Sequence, residues 1–94
     1  MKFCEICGRE AECTHHLIFG YSIRKLADQD QLTMDLCNDC HNMGRYRIHD
    51  NPVSEKLSKM LGQTKWELDR VAEGMSKEQA RKCFIERYGR SWNN

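Results

Sequence analysis

The chain has 94 residues, 31% of them charged and 9% aromatic, with a formal net charge of +1 and a mean hydropathy of -0.80. That length allows one small domain, residues 1–94, with a core thin enough to need a staple. No apolar run approaches the roughly 18 residues of a membrane span, and Met1-Lys2-Phe3-Cys4 opens without a basic and apolar leader, so the expectation is a cytoplasmic protein with no membrane partner. In a reducing compartment the six cysteines, four of them in two CxxC pairs, point to metal rather than to disulfides. The small net charge decides nothing about a polyanionic partner, because local clusters bind phosphate. Acids outnumber bases up to Pro52 and bases outnumber acids from Val53 onward, with Arg45 and Arg47, just after the second CxxC, as candidate substrate-binding residues.

In chain order, residues 1–13 read as a knuckle, with Gly8 after Cys7 where a tight turn lets backbone amides point at sulfur. His16 to Phe19 is expected as a short strand ending at Gly20. Ser22 would cap a helical turn over Ile23 to Ala27, and Asp28-Gln29-Asp30-Gln31 reads as loop. Leu32 to Cys37 alternates as a second strand, with Leu32, Met34 and Leu36 on one face. A second knuckle, Cys37 to Cys40, leads to a turn at Asn42-Met43-Gly44 and an extended piece through Tyr46 and Ile48. Asn51-Pro52 then caps a helix carrying Leu57, Met60 and Leu61, expected to stop at Gly62. Thr64 to Glu67 reads as a capping box for a second helix with Leu68, Val71 and Ala72, ending at Gly74. Ser76 to Gln79 opens a third, with Ala80, Cys83, Phe84 and Tyr88, ending at Gly89. The helices are expected to pack on the first half through Leu57, Leu61, Leu68, Val71 and Phe84.

Two sets of residues carry the chemistry. Cys4, Cys7, Cys37 and Cys40 form CxxC…CxxC, and each CxxC sets two sulfurs at the separation a tetrahedral zinc requires, so the four are expected to close a structural zinc site. Cys83 reads as a core thiol and Cys13 is unassigned. All four histidines, His15, His16, His41 and His49, fall near the knuckles and none in the helical half. Adjacent residues on a strand face opposite ways, so one of His15 and His16 can bind metal while the other meets a substrate.

The order CxxC, HH before apolar residues, LCxxCH and then IH resembles the HNH family of endonucleases in its zinc-knuckled ββα-metal form, particularly small phage-type proteins. The likeness spans Cys4 to His49 and, by the position of the next helix, reaches Leu61. It implies an α+β fold, a zinc-stapled ββα-metal (His-Me finger) core over residues 1–61 followed by a helical extension over 62–94. It also implies that His15 is a metal ligand, that His16 is the general base, and that His41 and His49 complete the ligands of one catalytic divalent cation, Mg²⁺, Mn²⁺, Ni²⁺ or Zn²⁺. The implied substrate is DNA, nicked or cut through both strands, and the implied origin a phage or prophage. The sequence departs from the family at two points. Leu32-Thr33-Met34-Asp35-Leu36-Cys37 lacks the asparagine of the second strand, whose part would pass to Gln29, Asp30 or Gln31 or be lost, and the interval from His41 to His49 is longer than usual.

Phosphodiester hydrolysis explains such residues, since it needs a deprotonated water and something to absorb charge on the phosphate and the departing 3′ oxygen. A neutral imidazole, with a pKa of about 6.5, suits the base. The competing expectation is a non-catalytic zinc module that binds DNA or a protein; a rubredoxin-like iron site would leave His15 and His16 without a purpose.

Overall fold

The computed structural model describes residues 2–20, 23–43, 48–49 and 51–93, a small α+β protein in which a two-stranded sheet precedes two packed helices. Strands β1 (Cys13–His16) and β2 (Thr33–Leu36) are antiparallel, with Cys13 opposite Leu36 and His15 opposite Met34. β1 thus begins earlier than the expected His16–Phe19 piece. The amide of Leu17 still reaches the Leu32 carbonyl at 2.8 Å, but Leu17 and Ile18 are both buried. Two consecutive inward side chains cannot alternate across a ribbon; the chain leaves the sheet after His16 to deliver both into the core.

Helix α1 (Ile23–Gln29) runs past Ala27, so Asp28 and Gln29 are helical and the expected loop shrinks to Asp30 and Gln31. The Leu32 amide returns to the Ala27 carbonyl at 2.8 Å, and Gln31 makes the bend at φ 59°. The expected cap Ser22 lies outside the described residues, as do Gly44 and Tyr46. After β2, Asp39–Met43 forms a single wide helical turn, where a knuckle and a simple turn were expected.

The expected break at Gly62 is absent. Helix α2 runs unbroken from Pro52 to Ala72, capped by Asn51 Oδ1, which accepts from the amides of Val53 and Ser54 at 3.1 and 3.2 Å. Gly62 serves contact instead of termination. A Cβ built there would lie 2.7 Å from Ile18 Cγ1 and 3.0 Å from Leu17 Cβ, so the helix rides directly on the segment that follows β1. Thr64 is accordingly mid-helix and caps nothing. Helix α3 (Lys77–Tyr88) follows its punctuation: Ser76 Oγ accepts from the Gln79 amide at 3.1 Å, and Gly89 ends it at φ 86°.

The packing face of α2 also differs from expectation. Leu57, Leu61 and Leu68 are 58%, 50% and 60% exposed and Val71 is half-buried, whereas Ser58, Gly62, Gln63 and Trp66 are buried; of the expected set only Phe84 is in the core. That core joins Leu17, Ile18, Ala27, Leu32, Trp66, Phe84 and Tyr88, with Cys83 packed at its edge. A second cluster gathers Cys4, Leu36, Cys37 and Ile48.

Two polar staples hold α3 and the segment after it. Arg87 donates to both Asp30 carboxylate oxygens at 2.7 and 2.8 Å, and the Tyr88 hydroxyl donates to the same carboxylate at 2.6 Å. Gln63, fully buried, donates to Glu67 and Ser91 at 2.6 and 2.9 Å and accepts from the amides of Trp92 and Asn93 at 2.7 and 3.1 Å. Buried amides are kept only when their hydrogen bonds are met.

Two outcomes follow. Gly62→Ala should lower stability by about 1–3 kcal/mol through overpacking against Leu17 and Ile18, more than the roughly 1 kcal/mol that alanine returns in helix propensity; urea unfolding measures it. For Asp30, burial raises the carboxyl but the Arg87 guanidinium and the Tyr88 hydroxyl outweigh it and hold its pKa below the ordinary 3.8. A depressed folded pKa means stability that is present above the unfolded value and lost as pH falls through the folded one. The stability gap between wild type and Asp30→Asn should therefore be constant near neutrality and shrink progressively below about pH 4.

Candidate metal centres

The first centre is assembled by the amino-terminal loop and the turn after β2. Cys4 and Cys7 sit on a tight loop in which the Cys4 amide meets the Arg9 carbonyl at 2.6 Å and the Gly8 amide meets the Cys4 carbonyl at 2.9 Å, Gly8 taking φ 81°. The Glu5 amide and the Glu12 amide tie this loop to Asp35 and Leu36 of β2 at 2.9 and 3.0 Å. The sulfurs of Cys4, Cys7, Cys37 and Cys40 lie within 4.8 Å of one another, and all are free thiols. The set is a possible site for a structural metal such as zinc, which four sulfurs at tetrahedral reach suit.

The electrostatics of the cluster call for a cation. Burial raises the Cys4 thiol, but amides of Cys7, Cys37 and Ile6 outweigh it and bring its pKa to about 6. Arg9, donating to Cys7 sulfur at 3.5 Å, lowers the Cys7 pKa and also pairs with Asp39 at 3.1 Å. Cys40 moves the other way, raised by burial and then by its hydrogen bonds to Cys37, Cys4 and Cys7. Four thiolates this close do not ionise together without a positive charge among them.

The second centre brings together His15, His41 and His49, whose ring nitrogens also lie within 4.8 Å of one another. His15 projects from β1 and His41 from the wide turn, directly beside Cys40. Backbone bonds align the remaining histidine: the Ile48 amide meets the Cys40 carbonyl at 2.9 Å and the His49 amide meets the His41 carbonyl at 3.1 Å. Nε2 of His41 and Nε2 of His49 are 2.9 Å apart, and Phe19 stands edge-on to His49 and His15, with centroids at 4.8 and 5.4 Å.

His15 is fixed from α2. Ser58 Oγ gives its only proton to the Leu17 carbonyl at 2.7 Å, so at 2.8 Å it accepts from His15 Nε2–H, which leaves Nδ1 as the nitrogen with a free lone pair. Burial, and after it the neighbouring His41, His49 and His16, push the His15 pKa down to about 3; burial and His49 lower His41 as well. Neutral imidazoles are the form that binds metal. Cys13, unassigned from sequence, donates to the Leu36 carbonyl at 3.2 Å and lies 3.4 Å from His41 Nδ1, on the far side of that ring.

His16 points the other way from the same strand, its Nε2 3.2 Å from Asp28 Oδ1. His15, His16, His41 and His49 line one cleft of about 350 Å³, together with Thr14, Phe19, Gly20 and Arg24. The residue facing His16 is none of those expected to replace the absent asparagine: Asp30 is committed to α3, Gln29 accepts from Arg87 at 3.4 Å, and Gln31 makes the turn. Asp28, Ser58, Phe19 and Arg24 were not anticipated; Asp28 reaches His16 only because α1 continues beyond Ala27. Arg45 and Arg47 lie outside the described residues.

Compared with protein-family models, curated proteins and solved structures, the chain matches none. What fold and sites define is a small α+β protein with a four-cysteine cluster able to hold a metal, and no described helix is long and apolar enough to cross a membrane. Because the cluster joins residues some thirty positions apart, metal binding and folding should be one event. Cys37→Ser is expected to lose a tightly held equivalent of zinc and with it the cooperative unfolding transition, both read on the purified protein by metal analysis and circular dichroism.

Proposed function

We propose that this protein is a metal-dependent endonuclease of the HNH type that hydrolyses DNA phosphodiester bonds, with phage or prophage origin and a cytoplasmic site of action. The observation that carries the reading is that His16 lines one cleft with three clustered histidines, an arrangement suited to a metal-ligand set with a base beside it. Three imidazoles do not complete the coordination of a divalent cation, so positions stay open for phosphate and water. The resemblance of CxxC, HH, LCxxCH and IH to the family supports the same assignment.

The residues fit such a cation: His15 would bind through Nδ1, and His41 and His49 through the Nε2 atoms that face each other. When bound, the ion supplies positive charge to the phosphate and the departing 3′ oxygen. An all-imidazole set favours Ni²⁺ or Zn²⁺ over Mg²⁺, which prefers oxygen, with Mn²⁺ between them. His16 is the general base. With its Nε2–H directed at Asp28, its Nδ1 is left to take a proton from the attacking water, and the Asp28 carboxylate then faces the imidazolium that results. Asp28 in this reading stands in for the missing asparagine as the group that sets the base's orientation. Arg45 and Arg47, between His41 and His49 in sequence, are proposed to hold substrate phosphate.

Nicking of supercoiled plasmid across added divalent metals tests the assignment. His16→Ala is expected to lower the rate by about 10²-fold or more while zinc content, folding and DNA affinity stay near wild type, because proton abstraction matters in the transition state and not in ground-state binding. His15→Ala should also be slow, but raising the metal concentration should restore part of its rate, a rescue closed to His16→Ala. Wild-type nicking by both variants would refute the reading and leave a non-catalytic zinc module.

A further inference from the structure

We infer that Arg24, Lys59 and Arg90, with Phe19 and Trp92 set between them, form a track along which one strand of a DNA substrate enters the histidine cleft; the inference rests on the nuclease reading above and assigns it a substrate-binding surface.

The track is assembled from three distant parts of the chain. It begins at the cleft, which Arg24 and Phe19 both line, with the Phe19 ring 4.8 Å from His49. Lys59 of α2 places Nζ 4.7 Å above the centre of Phe19 and 5.7 Å from that of Trp92. The guanidinium of Arg90 then lies 5.3 Å from the Trp92 ring. Rings and cations therefore alternate from Phe19, at the cleft, to Arg90. Such an alternation suits a nucleic-acid strand, since cations neutralise phosphates and every base has a face to stack on a ring.

The charges are available. Ion pairs with carboxylates take up Arg9, Arg70, Arg81 and Arg87, and among the described residues none takes Arg24, Lys59 or Arg90. A ring face attracts a cation without cancelling its charge, so Lys59 and Arg90 are oriented yet remain free to meet phosphate. The far end is also held in place. Gln63 accepts from the Trp92 and Asn93 amides at 2.7 and 3.1 Å and donates to Ser91 at 2.9 Å, so a fully buried side chain positions the segment that carries Trp92. This gives the helical extension a purpose beyond packing: α3 brings the chain back to α2, where Arg90 and Trp92 lengthen a surface that starts at the cleft.

Binding is measured with the zinc-loaded full-length protein and a fluorescein-labelled single-stranded DNA oligonucleotide, by anisotropy over a range of salt and without added activating cation. Lys59→Gln and Arg90→Gln are each expected to weaken binding about three- to tenfold and to reduce the slope of log Kd against log salt by about 0.7 per lost phosphate contact. Lys82→Gln, on the side of α3 away from Phe84, should stay within about twofold of wild type. Tryptophan emission should be quenched by DNA, and Trp92→Phe should abolish the quench, because the other tryptophan, Trp66, is 6% exposed. Wild-type affinity and salt slope in both Lys59→Gln and Arg90→Gln overturn the track even if the protein nicks DNA. An RNA strand of the same sequence bound more tightly, with the same sensitivity to the variants, overturns its assignment to DNA. If the variants weaken binding as expected while His15→Ala and His16→Ala both nick at the wild-type rate, the track stands and the nuclease reading falls.

Discussion

Four sulfur atoms gathered within 4.8 Å are the constraint on which the first half of this protein depends. Left without a cation they oppose one another, with amides favouring ionisation at Cys4 and burial resisting it at Cys40. With one, they fix the amino-terminal loop to the end of β2. The consequence travels one residue further. Cys40 and His41 are consecutive on a single helical turn, and their carbonyls receive the amides of Ile48 and His49 at 2.9 and 3.1 Å. The backbone that presents a sulfur to the first centre therefore presents two imidazoles to the second, so the geometry of the histidine cluster is inherited from the cysteine cluster. A structural metal here would act on the cleft by holding its histidines in register.

Which residues gather into the two clusters was readable in the residues themselves, because candidate metal ligands are recognised by type and short spacing. Cys4, Cys7, Cys37 and Cys40 converge as their CxxC spacing requires, and His15 and His16 diverge as neighbours on a strand must. The caps at Asn51, Ser76 and Gly89 were equally legible, since each is a local hydrogen-bonding or backbone requirement. What could not be read is what depends on distance in three dimensions. Asp28 and Ser58 are unremarkable polar residues in sequence. They gain their roles 12 and 43 positions away from the histidines they meet.

The errors on α2 share a cause, the assumption that apolar residues mark the buried face and glycine marks an end. On α2 both rules fail together. The leucine stripe of Leu57, Leu61 and Leu68 is the more regular pattern, yet it is exposed, while the opposite face buries a serine, a glycine, a glutamine and a tryptophan. Periodicity reports that a helix is amphipathic without reporting which neighbour is near enough to exclude water. Here the decisive term is approach. Only a residue without Cβ admits Ile18 and Leu17 so close to the helix axis, and once they are admitted the adjoining positions are buried whatever their polarity.

Each residue on that buried face then answers to a different partner, which explains why it is not simply apolar. Ser58 reaches His15 and the Leu17 carbonyl, Gly62 admits Ile18, Gln63 holds residues 91–93, and Trp66 packs edge-on against Phe84 at 5.6 Å. A leucine at position 58 or 63 would gain apolar burial and strand a ring N–H of His15 or the amides of Trp92 and Asn93, and an unpaired buried polar group costs about 1–3 kcal/mol. Polar side chains are therefore the stable choice at these positions, given what faces them. The same turn of α2 that fixes His15 from the inside sends the next residue, Lys59, outward over Phe19. One helix thus sets the protonation geometry of a candidate metal ligand and places a cation over the ring at the edge of its cleft, and the spacing between the two is fixed by a single peptide bond.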